Sequence, residues 1–304
     1  MPPLSRAVTG KSGSAGFVLV PVIWVVFLLG LAAASYNLTV RSGVGLTSAS
    51  AARTEAAALA DVGINLALYD ISNAATVRSW QRRIALDGRG IRCSAGAGHV
   101  SIVIRDESGK VDLNAAREPL LVALVAGIGV PHEQAVRLAA AIVDYRDPDD
   151  IRVPEGAERG QYLEAGRLTG PKNAAFDTPQ ELAQVLGFDT AIVEMLLPHV
   201  TVHSGLPGID PAKASPELLQ VLSRGRGASR SVISTHSGLP ADMVAASSQR
   251  VFAIVAQAAG ERGGKFARKT IVRIGSSGPI PFVVLSTQQV GFGPTLETTD
   301  AGAC

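Results

Sequence analysis

The sequence predicts an α+β protein: a long N-terminal hydrophobic helix, an antiparallel sheet, and an all-α domain inserted into that sheet. Three observations predict it. The stretch from Ser12 to Tyr36 carries no charged residue. Strand-like alternation occurs near Val103 and again beyond Val251, on both sides of a central block. The block itself, Asp112 to about Leu222, reads as short helices separated by tight turns. A chain of 304 residues has room for one large or two ordinary domains.

The first helix is the clearest element. Ala15 to Ala34 is nearly all apolar, and about 20 residues at ~1.5 Å each span a ~30 Å hydrocarbon layer. Arg6 and Lys11 precede it with no acidic residue, which holds the N-terminus in the cytoplasm and exports the bulk. Three readings fit. A cleavable secretory signal would use Ala32-Ala33-Ala34-Ser35 as its processing site. A plain membrane anchor is the second. The third starts from Gly13-Ser14-Ala15-Gly16 abutting Phe17: the segment Gly16 to Trp24 resembles a prepilin-type leader junction. That resemblance implies cleavage after Gly16, with Phe17 as the first mature residue. Pilin-like subunits mostly carry Glu at the fifth mature position, where this chain has Pro21. A carboxylate is tolerated in lipid only with a partner, so an apolar residue there suits a subunit placed first in a fibre.

From Thr39 to Arg83 the chain is Ala-rich with helical spacing, as in Val62, Leu66 and Tyr69, although Gly43, Gly45 and Gly63 weaken it. Gly88 to Gly98 is a turn region, and His99 to Arg105 alternates as a strand. In the central block, Leu113-Asn114-Ala115-Ala116 with Gly127-Ile128-Gly129, Thr178 to Gly187, and Ile209 to Leu219 share one helix-turn-helix logic. Ser223 to Ser248 reads as an irregular connection. The runs Val251 to Ala256, Lys269 to Ile274 and Pro281 to Ser286 form a meander, and Gln288 to Cys304 is a polar, mobile tail. The expected division is a leader at 1–16, the helix and its extension at 17–87, a sheet domain from 88–111 and 223–288, an inserted helical domain at 112–222, and a flexible tail at 289–304.

Little in the chain points to catalysis. No Ser/His/Asp or Cys/His arrangement, HExxH or complete phosphate-binding loop is present; Gly10-Lys11-Ser12 follows Ser5 where glycine is required. His199 and His203 lie in an extended context unsuited to a metal. The net charge of +2 does not argue for a polyanion partner. The Gly127-Ile128-Gly129 turn resembles a helix-hairpin-helix, whose amides can hold a DNA phosphate, but few cations surround it. Cys93 and Cys304 could form one bridge or remain two unrelated thiols. The strongest chemical signal is Asp144-Tyr145-Arg146-Asp147-Pro148-Asp149-Asp150, followed by Glu155 and Glu158. Such crowding requires either solvation, with pairing to Arg146 and Arg152, or a hard cation. Oxygen donors without Cys or His indicate Ca²⁺ rather than zinc.

Several ordered blocks together resemble the K-type minor pseudopilins of type II secretion. They are the leader junction with Trp24, Asp106 to Asn114, Asp144 to Asp149, Gly156-Ala157-Glu158, Pro171 to Phe176, Glu181-Leu182 with Val185-Leu186-Gly187, and Leu197 to Ser204. Tyr145 departs from the Trp often found there. The resemblance implies a pilin-like fold with an inserted helical domain, no enzymatic activity, and structural Ca²⁺ with Asp144, Asp147, Asp149 and Glu158 as candidate ligands. It further implies single-pass insertion in the inner membrane with the bulk periplasmic, at the tip of a pseudopilus. The implied partners are other minor pseudopilins, the major pseudopilin, the inner-membrane assembly platform and the prepilin peptidase, which cleaves after Gly16 before N-terminal methylation; nucleic acid is not among them. An envelope DNA-binding or DNA-uptake protein is the competing reading.

Overall fold

The structure, a computed structural model, describes residues 19–73, 84–96, 98–225, 238–247, 250–275, 281–293 and 298–304, with only the backbone of 36–47. Gly16 and Phe17 lie outside the described residues. The first helix, α1 (Leu19–Ser72), passes through both compact units of the chain, Met1–Thr54 and Glu55–Cys304.

In the first unit every described side chain from Leu19 to Ser35 is exposed. Leu19, Val20, Val22, Ile23, Trp24, Phe27 and Leu31 are all exposed, and Trp24 packs edge-on against Phe27 with ring centroids 6.2 Å apart. Among the described residues no helix is long and apolar enough to cross a membrane. The described side chains of the uncharged stretch begin only at Leu19, four residues into the run that starts at Ala15.

In the second unit the rest of α1 lies on a six-stranded sheet. The strands are β1 (Gly90–Ser94), β2 (Gly98–Asp106), β5 (Val251–Gly260), β6 (Lys265–Ile274), β7 (Phe282–Gln289) and β8 (Thr298–Ala303), in the order β7-β6-β5-β2-β1-β8. Strand β2 pairs antiparallel with β5, Ile102 opposite Ala256, so the sheet closes across the helical block. Alternation sets the two faces. Val100, Ile102, Ile104, Phe252, Ile254, Phe266 and Val272 face the helix and bury with Ala56, Ala60, Ile64, Ala67 and Ile71. Of the residues at the expected spacing, Leu66 packs against this cluster, while Val62 and Tyr69 are exposed. Where the helix comes nearest to β2 glycine is required: a Cβ on Gly63 would stand 2.7 Å from Val100 Cγ2. The glycine that weakens the helix locally is what lets it seat on the sheet.

The chain's end also differs from the expected mobile tail. Strand β8 runs parallel to β1, and Cys93 and Cys304 form a disulfide with Cα atoms 5.2 Å apart. Polar composition hid the strand because β8 is an edge strand with mostly exposed side chains.

The helical block begins and ends on a two-stranded parallel ladder, β3 (Val111–Asp112) with β4 (Val200–Thr201). Between them lie α2 (Glu118–Gly127), α3 (His132–Arg146), α4 (Arg159–Glu164), a 3-10 turn (Pro179–Gln184) and α5 (Thr190–Leu196); α6 (Pro216–Gly225) follows. Leu120, Leu121, Leu124, Leu138, Ile142, Tyr145 and Leu182 form its core. Helices α2 and α6 touch at backbone distance: a Cβ on Gly225 would lie 1.8 Å from Ala123 O, and one on Gly127 2.0 Å from Val221 O. Of the glycines in the Gly127-Ile128-Gly129 turn, Gly127 is thus spent on packing, and the Gly129 N–H already donates to Ala126 O at 3.0 Å.

Candidate functional site

The acidic segment leaves the C-terminal end of α3. Asp144 is on its last turn with no solvent exposure, and Asp147 caps it, its N–H donating to Val143 O at 3.1 Å. Beyond Pro148 the chain turns on Asp149, whose Oδ1 accepts from Ile151 N–H at 2.8 Å. It then returns through Val153, whose N–H donates to Asp144 Oδ1 at 3.0 Å. Gly156 must be glycine here, because a Cβ would lie 2.1 Å from Asp144 Oδ2. Glu158, 6% exposed, opens α4, and its N–H donates to Gln161 Oε1 at 3.0 Å.

Arg152 and Arg146 attract Asp144 and Asp147 through space, but not by direct pairing. The Arg146 guanidinium turns away, donating to Leu113 O at 2.5 Å and Ala116 O at 2.8 Å. Among the described residues neither Arg146 nor Arg152 forms an ion pair with the acidic loop. No hydrogen bond of good geometry, among the described residues, reaches Asp144 Oδ2, Asp147 Oδ1 or either Glu158 carboxylate oxygen, all buried, although the backbone N–H groups of Ala157 and Arg159 favour the ionised forms of Asp144 and Glu158. Burial pushes the Asp144 and Asp147 carboxyls above the usual range, helped at Asp147 by Asp149 and Asp144. The Glu158 carboxyl is pushed up to about 7, by burial first and then by Asp144, Asp147 and Asp150.

The same domain shows how it treats a buried carboxylate that needs no ion. Asp112, fully buried, accepts from Asn114 N–H at 2.8 Å, Ala115 N–H at 3.2 Å, Ser204 Oγ at 3.1 Å and Gly205 N–H at 2.7 Å. Every lone pair that matters there meets a donor. The orphaned oxygens of Asp144, Asp147 and Glu158 fall outside that pattern and present the donor set of a hard cation.

A further buried oxygen sits on a side chain tied to the same loop, one that sequence reasoning missed. Asn173, at φ 49°, donates from Nδ2 to Asp149 O at 2.9 Å and Asp150 Oδ1 at 2.8 Å, while its Oδ1 is buried without a partner. Asn114 holds the following segment, exchanging two bonds with the Phe176 backbone at 2.7 and 2.9 Å. The Phe176 ring in turn packs on Tyr145, centroids 4.7 Å apart. Asn173 lies inside the Pro171 to Phe176 block, but nothing in its neighbours marks it as a ligand. Of the expected residues, Asp144, Asp147 and Glu158 are electrostatically coupled and orphaned, whereas Asp149 is exposed with Oδ1 engaged. Among the described residues no three His, Cys, Asp or Glu side chains are gathered closely enough to cage a metal as they stand.

Comparison with known proteins places the block. Residues 101–205, from β2 through β4, match the family model of type II secretion system (T2SS) protein K. The fold is similar to a solved chain in the crystal structure of the GspK-GspI-GspJ complex from the enterotoxigenic Escherichia coli type 2 secretion system. The TM-score is 0.57 at 17% identity, over 83% of this chain and 99% of that one. No curated protein matches the sequence.

Proposed function

We propose that this chain, a type II secretion system protein K by residues 101–205 and by its fold, forms the tip of a periplasmic pseudopilus. It is a minor pseudopilin, a structural and non-enzymatic component of the secretion apparatus in the cell envelope. The observation that carries the reading is the protein K match over the block that interrupts the sheet. No observation favours the DNA-binding alternative: Gly127 is taken up in α2–α6 packing and the Gly129 N–H is bonded to Ala126 O.

The finer parts of the reading rest on the residues. The exposed apolar side chains from Leu19 to Leu31, with the uncharged run that precedes them, support a single-pass anchor with the N-terminus cytoplasmic and the bulk periplasmic. Processing after Gly16 leaves Phe17 first and Pro21 fifth. Without a carboxylate at that position the subunit cannot pair with the amine of a subunit already in place, which favours the tip. Other minor pseudopilins are its immediate partners, as GspI and GspJ accompany GspK in the solved complex. The major pseudopilin, the assembly platform and the prepilin peptidase serve its assembly.

The test is co-expression of the full chain with the other minor pseudopilins, detergent extraction and size-exclusion chromatography. A single heteromeric peak supports the tip complex, and separate elution of every subunit at micromolar concentration refutes it. N-terminal sequencing of the same material should begin at Phe17. A start at Ser35 would make the segment an ordinary signal peptide.

Ca²⁺ fits the acidic site on the orphaned oxygens alone. Asp144, Asp147, Glu158 and Asn173 would hold it, with Asp149 supplying charge or a further oxygen. A bound ion supplies the positive charge that these buried oxygens lack, and so joins the end of α3, the start of α4 and the 173 segment. Its role is structural.

A further inference from the structure

The two edges of the six-stranded sheet are finished differently. At one end β8 is held to β1 by main-chain pairing and by the Cys93–Cys304 disulfide, and it carries Asp300. At the other end stands β7, whose eight residues include no charge. Val283 and Val284, on opposite faces of that strand, are 57% and 48% exposed. Edge strands are ordinarily guarded by charge, proline, a bulge or a covering element. The guard here is one extra residue, Leu285, where the register with β6 shifts, and its side chain turns in to the Val251, Ala253 and Ile271 cluster.

Register also fixes which main-chain groups are free. At the ends of the β6–β7 ladder, Gly275 N–H donates to Pro281 O at 3.0 Å and Val290 N–H donates to Ala267 O at 3.1 Å. Bonded and non-bonded pairs alternate along an antiparallel ladder. Counted inward from both ends, Val283 and Ser286 face Arg273 and Ile271 as bonded pairs, whereas Phe282, Val284 and Thr287 aim their N–H and C=O away from β6. Among the described residues, no main-chain group from Phe282 to Gln288 bonds to an element other than β6. Such a row of donors and acceptors is met by an extended chain, since a helix has already spent its own.

The side chains along the row narrow the choice of chain. On the face toward α1, Phe282 and Val284 lie opposite Ile274 and Val272 of the core and carry its apolar surface out to the edge. On the other face Val283 lies opposite Arg273, which is exposed and forms no ion pair among the described residues. The remaining cations of β6 are engaged: Arg268 pairs with Asp61, Lys269 is attracted by Glu107, and Lys265 lies over the Phe292 ring.

We propose that β7 is a strand-acceptor edge whose occupant is an extended segment of another protein chain, apolar on one face and acidic beside Arg273 on the other. The β7 strand of a second copy is uncharged and gives Arg273 no acid, so self-pairing would satisfy the main chain alone. This surface follows from the sheet and is independent of the pseudopilin reading.

The experiment uses the full chain in detergent with two short synthetic peptides at matched ionic strength, one alternating valine with glutamate and one alternating valine with lysine. Site-resolved amide exchange is read at residues 282–288. At about tenfold excess over its dissociation constant, the glutamate peptide should slow exchange at Phe282, Val284 and Thr287 by about tenfold. Val283 and Ser286, already bonded to β6, should change far less. The glutamate peptide should bind at least about threefold more tightly than the lysine peptide, and Arg273→Glu, at an exposed side chain, should remove or reverse that preference. Protection confined to the outward amides, with a preference that depends on Arg273, supports the acceptor edge. Protection by neither peptide overturns it, as does protection spread equally over inward and outward amides. Equal binding of both peptides, unmoved by Arg273→Glu, overturns the acidic partner. If the chain alone dimerises with rising concentration and protects the same amides, the occupant is a second copy and the proposed partner falls.

Discussion

Replacing Asp144 by Asn separates a cation site from an acidic turn, because the two accounts give opposite results without metal. In the wild-type chain Asp144 Oδ2 is buried and unpartnered, next to the orphaned oxygens of Asp147 and Glu158. Asn keeps the shape, and its carbonyl oxygen can still accept from the Val153 N–H that now bonds Oδ1. The amide group then offers N–H donors to carboxylates that have none. An unmet buried polar group costs about 1–3 kcal/mol, more when charged. For a unit of this size 1 kcal/mol moves Tm by roughly 2–4 °C. In chelator, Asp144→Asn should therefore melt about 2–12 °C above wild type. Calcium at a hundredfold excess over its dissociation constant contributes about 2.7 kcal/mol, a rise of roughly 5–11 °C for wild type. That increment should nearly vanish in the variant. Asp112→Asn is the control: its carboxylate is fully bonded, so the variant should lose about 1–3 kcal/mol with or without calcium and keep the increment. Thermal unfolding of the full chain in detergent, calcium against chelator, reads all three proteins. Equal calcium increments in wild type and Asp144→Asn, or a lower Tm for the variant in chelator, would refute the reasoning.

Other consequences follow from the same geometry. Glu158 titrates near 7 when no cation is bound, above the ordinary carboxylate value of 4.5. The native state thus holds a proton that the unfolded state has lost, and calcium-free stability should fall as pH rises from about 4.5 to 7. Saturating calcium should flatten that slope, as melting curves at pH 5, 6 and 7 will show. Gly225→Ala places a methyl where Ala123 O stands and should destabilise by about 1–3 kcal/mol or more through forced separation of α2 and α6, measured by urea midpoint. Reducing Cys93–Cys304 should release β8 from β1. Amide exchange at residues 298–303 should accelerate, with about 2–4 kcal/mol lost in unfolding; unchanged exchange would mean that strand pairing alone holds the edge.

What the sequence made legible, and what it did not, divides along local and non-local physics. Alternation at His99 to Arg105 and Val251 to Ala256 reveals β2 and β5, because side-chain period is written locally. The Asp144 to Glu158 crowding is also local, and it exposed three of the orphaned carboxylates directly. Asn173 was hidden because its role comes from the Asn114–Phe176 clamp and from φ 49°, neither visible at the residue itself. The bound face of α1 was only partly legible for a related reason. Leu66 packs on the core but Val62 and Tyr69 do not, because the sheet-facing stripe runs through Ala56, Ala60, Ile64, Ala67 and Ile71. The closest approach to β2 falls at Gly63, which the local sequence marks only as a weak helix former. Strand β8 was hidden because edge strands keep polar side chains, and its partner β1 lies some two hundred residues earlier.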